Sequence, residues 1–168
     1  GDWGKNIDLD LLLNAWYYLA LKGEREFAML LNKEEDVQAI SRMMARMESA
    51  FNKRFWTGKE YRSPGYKGET DDRGQALAVL AGFAKPEQYP QVLEVLQKER
   101  HASPYMEKYV GEALFVMGYP EVALQRTRER FADMVNYPGC TTLWEGWGIG
   151  KAGFGGGSVN HAWSGGTL

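Results

Sequence analysis

The sequence is poor in cysteine and histidine and has almost no excess of either charge. Cys140 is the only cysteine, so an intrachain disulfide is impossible, and with only two histidines a zinc cluster is not expected. The formal charge is −2, from 20 Lys and Arg against 22 Asp and Glu, which argues against nucleic acid or an anionic membrane as a partner. No apolar run approaches the roughly 18 to 20 residues of a membrane span, and no signal peptide is evident.

The composition is that of one globular domain with a sizeable core. Of the 168 residues, 44% are hydrophobic and 13% aromatic, which excludes a disordered or collagen-like chain. The chain opens with Gly1-Asp2-Trp3-Gly4 and stops at Gly165-Gly166-Thr167-Leu168. Both ends look interrupted, so we expect the sequence to be part of a longer protein whose compartment it does not reveal.

Hydrophobic periodicity predicts a chain of helices joined by short turns. The first segment is apolar nearly all round and should be buried on most sides, whereas the second has a single apolar stripe whose methionines indicate core packing. Asp71 and Asp72 are typical helix caps, prolines mark three helix starts, and Gly118 marks a helix end. The predicted helical segments are 7–21, 34–55, a helix opening at 71–73, 86–97, 104–117 and 120–134.

The last 30 residues have a different composition, with aromatic residues scattered among glycines. Trp144, Trp147, Phe154 and Trp163 in such a segment suggest a loop that lines a cavity. Residues 148–153 match the dinucleotide fingerprint, but no parallel-sheet pattern surrounds them and no acidic residue follows at the required distance. A phosphate-binding loop and a serine-hydrolase elbow are also missing.

Glu145 is the candidate catalytic residue, because it lies between two tryptophans. A carboxylate beside large indoles needs either a structural salt bridge or a chemical role, since burying its charge is unfavourable. Indoles bind the C–H faces of sugars, and a carboxylate among them can direct a water to an anomeric carbon. The pairs Asp2 with Trp3 and His161 with Trp163 repeat this combination of a polar group and an indole.

Together these segments resemble the C-terminal half of the catalytic domain of α-L-rhamnosidases of glycoside hydrolase family 78. The resemblance covers the whole chain in order, and the last two motifs are the most specific. The matching motifs are Gly1-Asp2-Trp3-Gly4, Asn14-Ala15-Trp16-Tyr17-Tyr18, Phe51-Asn52-Lys53-Arg54-Phe55-Trp56, Asp72-Arg73, Thr141-Thr142-Leu143-Trp144-Glu145 and Ser158-Val159-Asn160-His161-Ala162-Trp163-Ser164-Gly165.

The resemblance implies an all-α fold, with helical hairpins forming part of an (α/α)6 barrel, and residues 1–168 forming a single partial domain. It also implies inverting hydrolysis of terminal α-L-rhamnose without a cofactor or metal. By position Glu145 matches the general base, with an ionised carboxylate. The side chains expected to contact the sugar are Asp2, Trp3, Asp72, Trp144, Trp147, His161 and Trp163.

The resemblance further implies that the general acid lies upstream of the Gly-Asp-Trp motif, outside this sequence. We therefore expect the isolated chain to be inactive, although the parent would be an enzyme, with a periplasmic or secreted location slightly favoured. An incomplete barrel would leave apolar helix faces uncovered, so we also expect either self-association or closure of the helices on themselves.

Two other functions remain open at the level of sequence. One is a hydrolase on the same helical barrel that acts on another terminal sugar. The other is a non-catalytic helical module that binds carbohydrate or serves as a scaffold, because the chain has no second identifiable catalytic carboxylate.

Overall fold

The computed structural model describes residues 2–148 and 157–167. Residues 149–156, which include Phe154 and most of the fingerprint-like segment, lie outside the described residues. In the described part the fold is all-α, as predicted, and its only strand-like pairing is one isolated bridge between Trp56 and Tyr61. The helices are α1 (Leu9–Leu30), α2 (Glu34–Phe55), α3 (Asp72–Ala81), α4 (Tyr89–Lys98), α5 (Pro104–Val116) and α6 (Pro120–Val135), with 3₁₀ turns at Pro86–Gln88 and Ala162–Thr167.

The helices form three hairpins, and their first members pack side by side. Helix α3 lies between α1 and α5, while α2 packs on α1, α4 on α3 and α6 on α5. All but one residue of α3 is buried, as its central position requires. The described residues thus form an inner row of α1, α3 and α5 with an outer row behind it, which is the arrangement expected for part of a helical barrel.

The three inner helices each begin with a side chain that caps free N–H groups. Asp8 accepts from the N–H of Leu11 at 3.4 Å and Asp71 from that of Arg73 at 3.1 Å. At the start of α5 the Ser103 hydroxyl likewise accepts from a backbone N–H. Such caps stabilise a helix by about 0.5 to 2 kcal/mol each. These caps therefore fix the residues at which the three inner helices begin.

A glycine allows the two inner helices α1 and α3 to approach closely. A Cβ atom at Gly74 would lie 2.4 Å from Cδ2 of Leu11, closer than real atoms come. Leu11 is fully buried at this contact. Any larger residue at position 74 would therefore require the Leu11 side chain or the helices to shift.

The predicted helix bounds agree closely with the structure except in α1 and at the start of α4, where Pro86–Gln88 form a 3₁₀ turn and the α-helix begins at Tyr89. The stripe of α2 is confirmed over Glu34–Phe55, Met44 is buried in the core, and Gly118 has the positive φ of 86° typical of a helix end. Helix α1, however, continues past the predicted end at residue 21 to Leu30. The polar residues after position 21 interrupt the apolar pattern without interrupting the helix.

The expectation that α1 is buried on most sides fails on one face. Leu9, Leu13 and Tyr17 follow one another at helical spacing and each is more than half exposed. These three side chains form an exposed apolar row along α1. None of the helices in the described residues has the length and apolar character needed to cross a membrane.

Candidate active site

The two C-terminal motifs are held together by backbone hydrogen bonds. The N–H of Glu145 donates to the carbonyl of Ser158 at 2.9 Å, and the N–H of His161 donates to the carbonyl of Leu143, also at 2.9 Å. This pairing brings the two polar groups that the sequence singled out, the carboxylate and the imidazole, into the same neighbourhood.

The carboxylate of Glu145 is partly exposed and is held through one oxygen. Its Oε2 accepts the N–H of Ser158 at 2.9 Å and lies 3.7 Å from Nδ1 of His161, while 32% of the side chain remains exposed. Among the described residues its Oε1 accepts no hydrogen bond. Gly157 makes the close approach possible, because a Cβ there would lie 2.8 Å from Cβ of Glu145.

A row of aromatic rings leads away from this carboxylate. The ring of Trp163 lies 4.2 Å from that of His161, 5.2 Å from that of Trp3 and 5.1 Å from that of Tyr105. Trp3 and Trp163 are nearly parallel, with 23° between their planes, and Trp163 is 41% exposed. Across α5 the row continues to α1, so that its members are in order Trp3, Trp163, Tyr105, Tyr109 and Trp16.

The two tryptophans beside Glu145 in sequence anchor the loop to the helices. Trp144 is only 3% exposed and its indole N–H donates to Sγ of Cys140 at 3.3 Å. The indole N–H of Trp147 donates to the carbonyl of Ala102 at 2.8 Å, and the guanidinium of Arg130 stacks 4.0 Å from the ring centre. Their predicted contact with sugar stays a prediction, whereas their structural role is visible in these bonds.

Asp2 is buried and belongs to an ion pair with Arg73. Its Oδ2 accepts from Nη1 of Arg73 at 3.0 Å and from the backbone N–H of Ser103 at 3.0 Å, and its side chain is fully buried. Its other oxygen, Oδ1, has no hydrogen-bond partner among the described residues. The same Arg73 donates to the carbonyl of Trp3 at 3.3 Å, so this arginine holds both predicted sugar-binding residues of the N-terminal segment.

Asp72 takes part in a second buried ion-pair network, which joins α3 to α5 and α6. Its Oδ2 accepts from Nη2 of Arg126 at 2.6 Å, and Arg126 also pairs with Glu107 at 2.8 Å. Burial alone would lower the pKa of Arg126, but the charges of Glu107 and Asp72 raise it overall. Asp72 is fully buried in these contacts, and its predicted role in sugar binding stays a prediction.

One group of side chains in the loops before the inner helices could hold a cation. Ligand atoms of Glu69, Glu99 and His101 lie within 4.8 Å of one another. The Nε2 atom of His101 is 3.0 Å from Glu99 and 3.4 Å from Glu69, and Asn6 donates to Glu69 at 2.7 Å. Hydrogen bonds therefore account for this cluster without an ion. Sequence reasoning missed it, because Glu69 comes from a different loop.

Two apolar clefts lie along α5 and α6, and neither is lined by Glu145. The larger, of about 540 Å³, is bordered by Phe115 and Leu124, and the second, of about 410 Å³, by Leu124 and Val135. All three side chains are at least half exposed. The clefts are a second uncovered apolar surface, on the opposite edge of the inner row from α1.

Comparison with known proteins agrees with the fold and the motifs. The sequence model described as the bacterial alpha-L-rhamnosidase 6 hairpin glycosidase domain matches residues 1–168. Among solved structures, a rhamnosidase from Klebsiella oxytoca with rhamnose bound superposes with a TM-score of 0.81 at 22% identity. A family 78 rhamnosidase of Bacillus sp. GL1 superposes with a TM-score of 0.78 at 20% identity. No curated protein sequence matches the chain.

The chain spans only part of these solved proteins. It is covered almost completely, at 97% and 99%, but it corresponds to 34% of the Klebsiella chain and 20% of the Bacillus chain. At these identities the superpositions establish the helical fold.

Proposed function

Because this chain belongs to the bacterial α-L-rhamnosidase six-hairpin glycosidase family, we propose that it is part of an inverting enzyme that releases terminal α-L-rhamnose. In this reaction one carboxylic acid protonates the leaving oxygen, while a carboxylate activates a water on the opposite face of the sugar. We assign the second role, that of the general base, to Glu145.

The observation that carries this assignment is the environment of the Glu145 carboxylate. Its Oε2 is fixed by the N–H of Ser158, and its Oε1 accepts no hydrogen bond among the described residues. A general base needs a fixed carboxylate with one oxygen free to accept a proton from water. One third of the side chain is exposed, so water has access to it.

The aromatic row supports sugar as the ligand class. Aromatic faces pack against the C–H faces of pyranose rings, and Trp163, which lies beside His161, is 41% exposed. The Klebsiella rhamnosidase of similar fold is the one solved with rhamnose bound. We therefore place the terminal rhamnose against Trp163, within reach of both His161 and Glu145.

We assign the general acid to a part of the parent enzyme outside these 168 residues. In an inverting pair the two carboxyl groups stand about 6.5 to 9.5 Å apart, with the water and sugar between them. Asp2, whose neighbour Trp3 stacks on Trp163, is not assigned this role, because its side chain is buried in an ion pair with Arg73. The three hairpins would then form half of a six-hairpin barrel, and the chain alone is expected to lack activity.

The test is substitution of Glu145 in the parent enzyme. Glu145→Gln keeps the shape of the side chain but removes the base, so kcat on an aryl α-L-rhamnoside should fall by about 10² to 10⁴. Glu121→Gln, at an exposed glutamate in the first turn of α6, is the matched control and should leave kcat unchanged. A Glu145→Gln enzyme with wild-type kcat would refute the assignment.

A non-catalytic sugar-binding module is the second candidate, and the partial exposure of Trp163 favours it. Titration of the isolated chain with rhamnose, followed by intrinsic tryptophan fluorescence, measures binding without requiring catalysis. Saturable binding by the chain, combined with a parent that hydrolyses no aryl glycoside, would favour the module over the enzyme.

A further inference from the structure

Ser158 contacts both polar groups of the candidate active site. Its backbone N–H donates to Oε2 of Glu145 at 2.9 Å, and its hydroxyl oxygen lies 2.7 Å from Nδ1 of His161. Its carbonyl accepts the N–H of Glu145 at 2.9 Å. The sequence showed Ser158 only as a member of a motif and gave it no role.

The hydrogen bond between the Ser158 hydroxyl and the imidazole can run in either direction, depending on the tautomer of His161. In the part of the chain that the structure describes, the hydroxyl has two neighbouring acceptors: the carbonyl of Asn160 at 3.5 Å and Nδ1 of His161 at 2.7 Å. Hydrogen bonds from hydroxyl groups are normally about 2.5 to 3.0 Å long, so of these two acceptors Nδ1 is the one at normal length for a hydrogen from Ser158. A neutral imidazole that accepts at Nδ1 carries its own hydrogen on Nε2.

Without this hydroxyl, the surroundings of the ring would favour the opposite tautomer. Oε2 of Glu145 is 3.7 Å from Nδ1, and a carboxylate attracts a hydrogen placed on that nitrogen. Among the described residues, another close neighbour of the ring is the indole of Trp163, at 4.2 Å between ring centres. The distance from Oε2 to Nδ1 is longer than a hydrogen bond, but in a chain without the hydroxyl a small shift of the ring would let an Nδ1–H group donate to Glu145, and a base that accepts such a bond is weakened.

We propose that Ser158 is a positioning residue that keeps His161 in the Nε2–H tautomer and thereby keeps the imidazole from donating to Glu145. The inference rests on the proposed function, in which Glu145 must remain free to accept a proton from water. In this tautomer His161 has a hydrogen on Nε2, which becomes the donor for a hydroxyl group of the sugar.

The test is the tautomer of His161, measured by nitrogen-15 NMR on the isolated 168-residue chain. The spectrum is simple, because the chain has only two histidines, and His101 serves as an internal reference with different partners. At a pH where the rings are neutral, we expect Nδ1 of His161 to have the chemical shift of a nitrogen without hydrogen. A wild-type His161 with its hydrogen on Nδ1 would overturn the proposal without any variant.

Two substitutions then test the role of the hydroxyl. Ser158→Ala should move the hydrogen of His161 to Nδ1, whereas Ser158→Thr keeps a hydroxyl and should leave the tautomer unchanged. A merely structural serine would not reverse the tautomer, so an unchanged His161 in a folded Ser158→Ala chain would also overturn the proposal. These spectra involve no substrate, so they test the positioning role separately from the proposed function. The tautomer can prove wrong while Glu145→Gln still inactivates the parent, and the tautomer can prove right while Glu145→Gln leaves the parent active.

Discussion

Removal of the Arg73 guanidinium should destabilise the protein more than any surface substitution. Its side chain is fully buried and forms ion pairs with Asp71 at 2.6 Å and with Asp2 at 3.0 Å. It also donates to three backbone carbonyls of the N-terminal segment, at 3.3, 3.1 and 2.8 Å. One side chain therefore attaches the segment before α1 to the start of α3.

The magnitude follows from what Arg73→Ala would leave behind. Two buried carboxylates and three carbonyls would lose a donor, and removal of one partner from a buried ion pair destabilises a protein by about 3 to 5 kcal/mol. Typical domains have about 5 to 15 kcal/mol of stability in total. Arg73→Lys keeps the charge, but a single ammonium cannot reach all these acceptors. Its free energy of unfolding should therefore lie between those of the wild type and Arg73→Ala.

The assay is urea unfolding followed by far-ultraviolet circular dichroism, with Arg54→Ala as the control. Arg54 pairs with Asp10 at 3.3 Å, and both side chains are more than half exposed, so its removal should change stability by less than about 1 kcal/mol. If Arg73→Ala destabilised the chain no more than Arg54→Ala does, the buried ion pairs and hydrogen bonds of Arg73 would contribute nothing, and the reasoning would be refuted.

Two further predictions concern acid stability and association. Burial alone would raise the pKa of Glu60, but hydrogen bonds from Thr70 and Arg62 lower this pKa below its ordinary value of 4.5. The ionised carboxylate therefore stabilises the folded protein at pH values above 4.5, and this stabilisation is lost as the pH falls through the pKa of the folded state. In urea titrations the stability gap between wild type and Glu60→Gln should therefore narrow on acidification, and a constant gap would contradict this. The exposed row on α1 should drive self-association, so Leu13→Glu should lower the mass measured by light scattering; a monomeric wild type that binds little hydrophobic dye would contradict this.

The sequence was sufficient to predict the helices whose apolar residues mark both ends. Helix α2 ends at Phe55, the last residue of its apolar stripe, and the proline at position 104 marks the first residue of α5. Helix α1 was predicted too short, because residues 22–26 are polar apart from Gly23 while the helix continues through them. A hydrophobic pattern reports burial, so a helical stretch that faces water on most sides leaves no such signal.

The site was predictable in its members but not in their partners. The motifs identified Glu145 and His161, and the structure brings them within 3.7 Å of each other. The stacking of Trp3 on Trp163 joins the two ends of the chain, which no local pattern can indicate. The burial of Trp144 was also unpredictable, since an indole beside a carboxylate gives no sign of which side chain faces the core.

The stereochemistry of the first product tests the central claim most directly. If the carboxylate at position 145 activates a water on the face opposite the leaving group, hydrolysis of an α-L-rhamnoside by the parent enzyme inverts the anomeric centre. Proton NMR of the reaction in its first minutes should then show β-L-rhamnose, with the α anomer appearing only later by mutarotation. Initial release of α-L-rhamnose would mean a retaining mechanism and would contradict a general base at this position.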